Sequence, residues 1–256
     1  GQDSFTFVVY DSLNKASAPA TVSINVVPVN DPPQFNVTTV GTILEDIPLR
    51  TVANFVTDMN VGNAYEAPVQ TYSFTVDTSN NAAFEILPAI DNNGTLTYKI
   101  AQNFNGTVVF YVTMTDSGPN GGSDVNFTTK TATLTVTPVN DAPSFVPGDT
   151  VTVNEDSGDY SSTTPWVQSY STGPADESGQ TVSYIVTADE PALFSSGPAI
   201  DADGFLTFTP APDQYAPLGT TVRVTIQDDG GTANGGVDKG LEQSFTIIIN
   251  PVNDAP

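Results

Sequence analysis

Along most of the chain polar and apolar residues take turns. Thr71-Tyr72-Ser73-Phe74-Thr75-Val76 alternates, and so do Thr95 to Ile100, Thr131 to Val136, Phe205 to Thr209 and Thr221 to Ile226. A period of two is that of a strand with one face buried. The residues used are Val, Thr, Ile, Tyr and Phe, which suit a pleated, half-buried surface. Clusters of Gly, Pro, Asn and Asp separate these segments and supply turn geometry. The spacing predicts about seven strands in each stretch of roughly 110 residues, and no amphipathic helix. Seven strands in that length predict an all-β fold, an immunoglobulin-like sandwich whose two sheets bury the alternate apolar positions.

The pattern repeats. Pro28-Val29-Asn30-Asp31-Pro32-Pro33 returns as Pro138-Val139-Asn140-Asp141-Ala142-Pro143 and again as Pro251-Val252-Asn253-Asp254-Ala255-Pro256, with Asn spacings of 110 and 113 residues. Leu44-Glu45-Asp46 recurs as Asn154-Glu155-Asp156, and Pro88-Ala89-Ile90-Asp91 as Pro198-Ala199-Ile200-Asp201, each 110 residues on. Asp116-Ser117-Gly118 recurs as Asp228-Asp229-Gly230. This is a tandem array. Its phase predicts whole repeats over residues 29–138 and 139–251, with residues 252–256 starting a further junction. Residues 1–28 match only the last two strands of a repeat: Phe5 to Asp11 parallels Phe110 to Asp116, and Ala20 to Pro28 parallels Ala132 to Pro138. The chain opens on Gly1 and reads as a piece of a longer array. Its longest apolar run, Val108 to Val112, is far short of the ~18–20 residues a membrane helix needs. The prolines of the junction phrase end one strand and restrict the link to the next, favouring an end-to-end rod over a flexible tether.

Composition narrows the chemistry. Among the 256 residues there is no Cys and no His, and 29 Asp+Glu face 6 Lys+Arg for a net charge of −23. Disulfides, thiolate or imidazole metal sites and His-dependent relays are excluded. A nucleic-acid partner is excluded too, because phosphate binding needs clustered Lys and Arg. The acidic residues gather at strand ends and junctions with few cations to pair with them. Unit charges ~4–5 Å apart repel by several kcal/mol at an effective dielectric of about 20. Carboxylates collected at a domain end therefore call for a counterion. With only carboxylate, amide and carbonyl oxygens on offer, the ion suited is Ca²⁺, which takes 6–8 oxygens in adaptable geometry.

Val-Asn-Asp-Ala-Pro between sandwiches of this size resembles the junction of cadherin-like tandem repeats in large extracellular surface proteins, bacterial ones in particular. It is similar to the cadherin linker Asp-X-Asn-Asp-Asn-X-Pro, shortened. The resemblance spans essentially the whole chain, and it implies a non-catalytic stalk or adhesion module at the cell surface, with Ca²⁺ between successive repeats. At the first junction it implies Asn30 and Asp31 from the linker, with Asp58, Asn60 and Asp116 from the domain that follows. At the second it implies Glu45 and Asp46 from the preceding domain, Asn140 and Asp141 from the linker, and Asp176 and Asp228 beyond it. Glu155, Asn253 and Asp254 then belong to a third junction. The implied partners are neighbouring repeats, other copies of the chain, or cell-surface ligands.

The sequence departs from that family in places. Val27 or Pro28 stands where the linker's leading Asp belongs, and no Asp-Arg-Glu segment is recognisable. Asp176-Glu177-Ser178 matches Asp-X-Asp poorly. These departures predict one or two ions per junction and affinities at the weak end, about 10⁻⁴–10⁻³ M.

Other readings compete for the same residues. The junction Asp can cap backbone amides with no metal at all. Asp91-Asn92-Asn93-Gly94 and Asp201-Ala202-Asp203-Gly204 precede clear strands and fit hairpin turns better than calcium loops. Trp166 and the tyrosines are expected in the cores, with a sugar-stacking platform as the alternative, which makes the chain a carbohydrate-binding module. The sequons at Asn36, Asn93, Asn105 and Asn126 also read as turn-then-strand. An unfinished first repeat further allows a filament subunit completed by strands of another molecule. Paired carboxylates can cleave glycosides, but carboxylates recurring once per repeat mark a joint rather than a single catalytic centre.

Overall fold

The alternating segments form β-strands, and they do so twice over on one plan. The computed structural model describes residues 1–27, 29–122 and 124–253, and the chain divides into two units, Gly1–Thr137 and Pro138–Pro256. The first contains β1 (Gln2–Phe7), β2 (Ala20–Asn25), β3 (Gln34–Val37), β4 (Gly41–Leu44), β5 (Arg50–Val52), β6 (Val56–Asn60), β7 (Tyr72–Thr78), β8 (Phe84–Ile90), β9 (Leu96–Ile100), β10 (Gly106–Asp116) and β11 (Phe127–Thr137). The second contains β12 (Ser144–Val146), β13 (Val151–Asn154), β14 (Tyr160–Ser161), β15 (Ser169–Ser171), β16 (Val182–Ala188), β17 (Phe194–Ile200), β18 (Leu206–Pro210), β19 (Ala216–Asp228) and β20 (Gln243–Asn250). Helical structure among the described residues is limited to single 3₁₀ turns, and no helix is long and apolar enough to cross a membrane.

In the first unit one sheet has the order β4-β11-β10-β7, and β5-β9-β8 with the β3-β6 pair forms the other layer; β13-β20-β19-β16, β14-β18-β17 and β12-β15 repeat this in the second. Nine strand segments stand where seven were expected because two strands are broken. The first runs antiparallel to β6 as β3, then crosses at Gly41 (φ +82°) to lie parallel to β11 as β4. The second is split into β5 and β6 near Asn54, which sits at φ +55°. Each segment serves a different sheet, so the seven-strand sandwich plan holds.

The period of two places the core. Val108, Phe110, Val112 and Met114 of β10 and Leu134 of β11 are fully buried, as are Leu96 and Tyr98 across the sandwich. Val222, Val224, Ile226, Ile247, Ile249, Leu206 and Phe208 repeat this in the second unit. Burial of such side chains stabilises by about 1.5–3 kcal/mol each, and no disulfide is needed. Trp166 is buried against Phe245, ring centroids 4.3 Å apart, and its indole N–H donates to the carbonyl of Asp149 at 3.0 Å. It is a core residue.

Of the three residues that lengthen the second Asn spacing, two fall in β19. Its pairing with β20 shifts between Ala216 and Thr220, around Gly219 at φ +81°. The hairpin-turn reading also holds. Asp91 Oδ1 accepts the N–H groups of Thr95 and Asn93 (both 2.9 Å), and Asp201 Oδ1 those of Phe205 (2.8 Å) and Asp203 (3.1 Å). The amide of Thr95, foremost, holds the Asp91 carboxyl below the usual range.

Strands β1 and β2 form a separate two-stranded sheet. Phe5 pairs with Val22 as Phe110 pairs with Ala132 in β10–β11 and Val222 with Phe245 in β19–β20. Ala20 is thereby set opposite Phe7 in the place of Lys130 rather than Ala132, a two-residue correction to the alignment read from sequence. Positions that are buried in the sandwiches are exposed here: Phe5 (54%), Phe7 (46%), Val9 (62%) and Ile24 (43%).

Candidate functional site

Each complete sandwich is preceded by an Asn-Asp pair tied into one of its ends. Asn30 is buried, and its side chain is fully engaged. Its Nδ2 donates to the Val125 carbonyl (2.8 Å) and to Asp116 Oδ1 (3.2 Å), while its Oδ1 accepts from Gln70 Nε2 (2.7 Å). Its backbone N–H donates to Asp124 Oδ1 at 2.7 Å. Asp116, buried at the end of β10, also accepts the N–H of Gly118 at 2.8 Å. A side chain at Gly118 would strike the Asn30 amide, so glycine is required there. Asp31 donates its N–H to Glu66 Oε1 (3.0 Å), and Asn63 donates its own to Glu66 Oε2 (3.0 Å) and its Nδ2 to Asp31 Oδ2 (2.6 Å).

The second unit rebuilds this clasp from its own residues. Asn140 Nδ2 donates to the Val237 carbonyl (2.9 Å) and Asp228 Oδ1 (3.0 Å), and its Oδ1 accepts from Gln180 Nε2 (2.7 Å). The N–H of Gly230 reaches Asp228 Oδ1 at 3.0 Å. Asp141 donates its N–H to Glu177 Oε1 at 2.8 Å. Burial pushes the Glu177 carboxyl up; the Asp141 amide opposes this, and the carboxylates of Asp141, Asp176 and Asp228 add to it. At the unit's other end Glu155, buried just beyond β13, accepts the Val252 N–H at 2.7 Å. In the first unit Glu45, in the matching place, is likewise buried, with Asn105 Nδ2 3.4 Å from its Oε2. Asp46, at φ +56°, accepts the Asn103 N–H at 2.9 Å.

The structure thus joins Asn30 to Asp116 and Asn140 to Asp228, and sets Asp141 and Asp176 close enough to Glu177 to perturb it. Asp58 and Asn60 are engaged elsewhere. Asp58 accepts from Asn36 Nδ2 (2.8 Å), and Asn60 from the Gly62 N–H (3.2 Å). Asn253 lies one residue past the amide that Glu155 holds, and Asp254 lies outside the described residues. Sequence reasoning missed Glu66, Glu177, Gln70 and Gln180. A signal was present: Gly62-X-X-X-Glu66 returns as Gly173-X-X-X-Glu177, 111 residues on.

A divalent cation fits part of this set. All donors are hard oxygens, and Oε2 of Glu177, Oδ2 of Asp228 and Oε2 of Glu155 are buried without a hydrogen-bond partner. Buried charge left in that state is costly, and a cation would relieve it. The side-chain oxygens of Asn30 and Asn140 each accept one glutamine amide, at 2.7 Å, which uses one of their two lone pairs.

Solved structures carry the same fold. A crystal structure of mouse protocadherin-24 EC1-3 superposes with a TM-score of 0.51 at 16% identity, covering 98% of this chain and 80% of that one. One of human protocadherin-24 EC1-2 (form II) gives 0.52 at 18% identity, covering 88% of this chain and 99% of that one. No protein-family model and no curated protein matches the chain. The fold is cadherin-like, an immunoglobulin-like β-sandwich of the kind those protocadherin repeats adopt. At such identity the likeness is one of fold.

Proposed function

We propose that the chain is a non-catalytic segment of an extracellular tandem array, a stalk or adhesion module whose repeats are joined at calcium-binding ends. Its partners are the neighbouring repeats, and copies or surface ligands beyond them; residues 1–28 are the closing strands of a preceding repeat. The observation carrying this reading is that the same Asn–Asp–Gln clasp and linker-holding Glu recur at the start of both complete sandwiches, and in the second they stand beside carboxylate oxygens without partners. A feature built twice at equivalent places belongs to the joint of a repeating structure. A bound Ca²⁺ would supply the dication that offsets the repulsion of these carboxylates. The chain's own residues hold the linker: Asn140 pins its side, Glu177 takes its Asp141 amide, and Glu155 takes the amide of Val252. Glu45 and Asp46 are assigned to the second junction by their place in the repeat.

Calcium titration of the whole chain, read by melting and by small-angle scattering, tests this. Calcium is expected to raise the melting temperature and lengthen the particle relative to chelator. Unchanged melting and scattering would refute the calcium joint.

A further inference from the structure

The two linker sites differ at one donor residue. Gly62 and Glu66 of the first correspond to Gly173 and Glu177 of the second. The carbonyls of Asn63 and Pro174, which follow those glycines, accept the N–H of Glu66 and of Glu177 at 3.1 Å in both. Asn63 has two groups to give, its N–H to Glu66 Oε2 (3.0 Å) and its Nδ2 to Asp31 Oδ2 (2.6 Å). Proline has no N–H and no donor side chain. At Gly173 a side chain would collide with Glu177 Oε2, so that oxygen lies against bare backbone. The consequence is visible at Glu177, 7% exposed, whose Oε2 has no partner; independently of the proline, Asp228, 6% exposed, has none for Oδ2. In the first unit both Glu66 oxygens are hydrogen-bonded, and both Asp116 oxygens face Asn30 Nδ2, at 3.2 and 3.5 Å.

Resting on the reading that these ends hold a divalent cation, we propose that the two sites are graded. Asn63 is a built-in substitute for the cation at the first, and the second, at Glu177 Oε2 and Asp228 Oδ2, takes Ca²⁺ at the lower concentration. To bind at the first site a cation must break hydrogen bonds to two carboxylates; at the second it meets oxygens that have none to lose. Forfeiting even one such bond is worth about tenfold in affinity. An array built this way stiffens joint by joint as calcium rises.

The test is a calcium titration of the intact, nitrogen-15-labelled chain, followed by the amide resonances of Asp31, Glu66 and Gly118 against those of Asp141, Glu177 and Gly230. The second group is expected to reach its midpoint at about tenfold lower calcium. Pro174→Asn should raise that midpoint, and Asn63→Pro should lower the first site's. Asn63→Ala, which keeps the backbone and removes only the side-chain donor, should lower it part of the way and serves if the proline variant does not fold. Coincident midpoints in the parent chain, or variants that leave them unmoved, overturn the grading alone. An absence of saturable shifts at ten times the extracellular-module range of about 10⁻⁴–10⁻³ M overturns the calcium reading with it.

Discussion

Replacing Asn140 by Ala removes a clasp whose worth can be worked out bond by bond. Two of its hydrogen bonds are between neutral groups, Nδ2 to the Val237 carbonyl at 2.9 Å and Gln180 Nε2 to its Oδ1 at 2.7 Å. The third runs to the carboxylate of Asp228 at 3.0 Å. Neutral bonds contribute about 0.5–1.5 kcal/mol and those to charged groups about 1.5–3. Asn140 is half-buried, so water replaces part of what is lost, and a total of about 3 kcal/mol is expected. For a unit of this size each kcal/mol moves the midpoint by about 4 °C, which gives a drop of roughly 12 °C. The assay is scanning calorimetry of the whole chain in chelator, so that no bound cation contributes. The transition of the second unit should fall and that of the first should stay. Asn30→Ala should do the reverse. A drop under about 3 °C, or equal drops in both units, would show that the clasp is not what anchors the linker.

Tyr184→Phe should leave the second unit as stable or make it more so. The hydroxyl is buried without a partner, burial pushes its pKa up to about 12, and Phe74 already fills the matching place in the first unit; the edge-on contact with Phe145, centroids 5.8 Å apart, survives the change. A fall in melting temperature would reveal a hydrogen bond at that oxygen. Glu177→Gln should stabilise the chain at neutral pH in chelator. The folded pKa lies above the reference 4.5, so the folded state holds the extra proton between those two values, stability declines as pH rises through that window, and the full penalty stands above it. Melting against pH should show this slope in the parent and lose it in the variant, and a parent with no such slope would refute the account.

The fold was legible because its signal is periodic. Every alternating segment quoted from the sequence became a strand with the expected face inward, as Leu96, Tyr98 and Ile100 illustrate. The broken strands were not legible, because a kink at Asn54 or Gly41 depends on which sheet each half joins. The candidate site was half legible. Asn30, Asp116, Asn140 and Asp228 stand in phrases that repeat with a single residue changed, and the structure ties them together in pairs. Asp58 was chosen by analogy with a motif, and its Oδ2 accepts the side-chain amide of Asn36. Glu66 and Glu177 lie in segments where little but a glycine and a glutamate is shared, and Gln70 and Gln180 are offset by one residue through a deletion. Such a site is readable only after the backbone shows which amides the two glutamates hold.

Two sources of stability in each unit are physically separate. The sandwich rests on apolar burial between its sheets, in residues such as Phe110 and Ile247. The linker rests on amides: a glutamine and an asparagine donate where a cation would otherwise be required, and Asp31 and Asp141 offer their backbone N–H groups to a glutamate. This differs from a small metallo-domain, where binding the ion and folding are one event. Here the fold stands first, and a cation can act only on what the amides leave unsatisfied. Among the described residues those remnants include Glu177 Oε2, Asp228 Oδ2 and Glu155 Oε2. If the proposed grading holds, calcium affinity along the array follows the number of donors near each carboxylate rather than the number of carboxylates, and the exchange of Pro174 for Asn is the change that tests it.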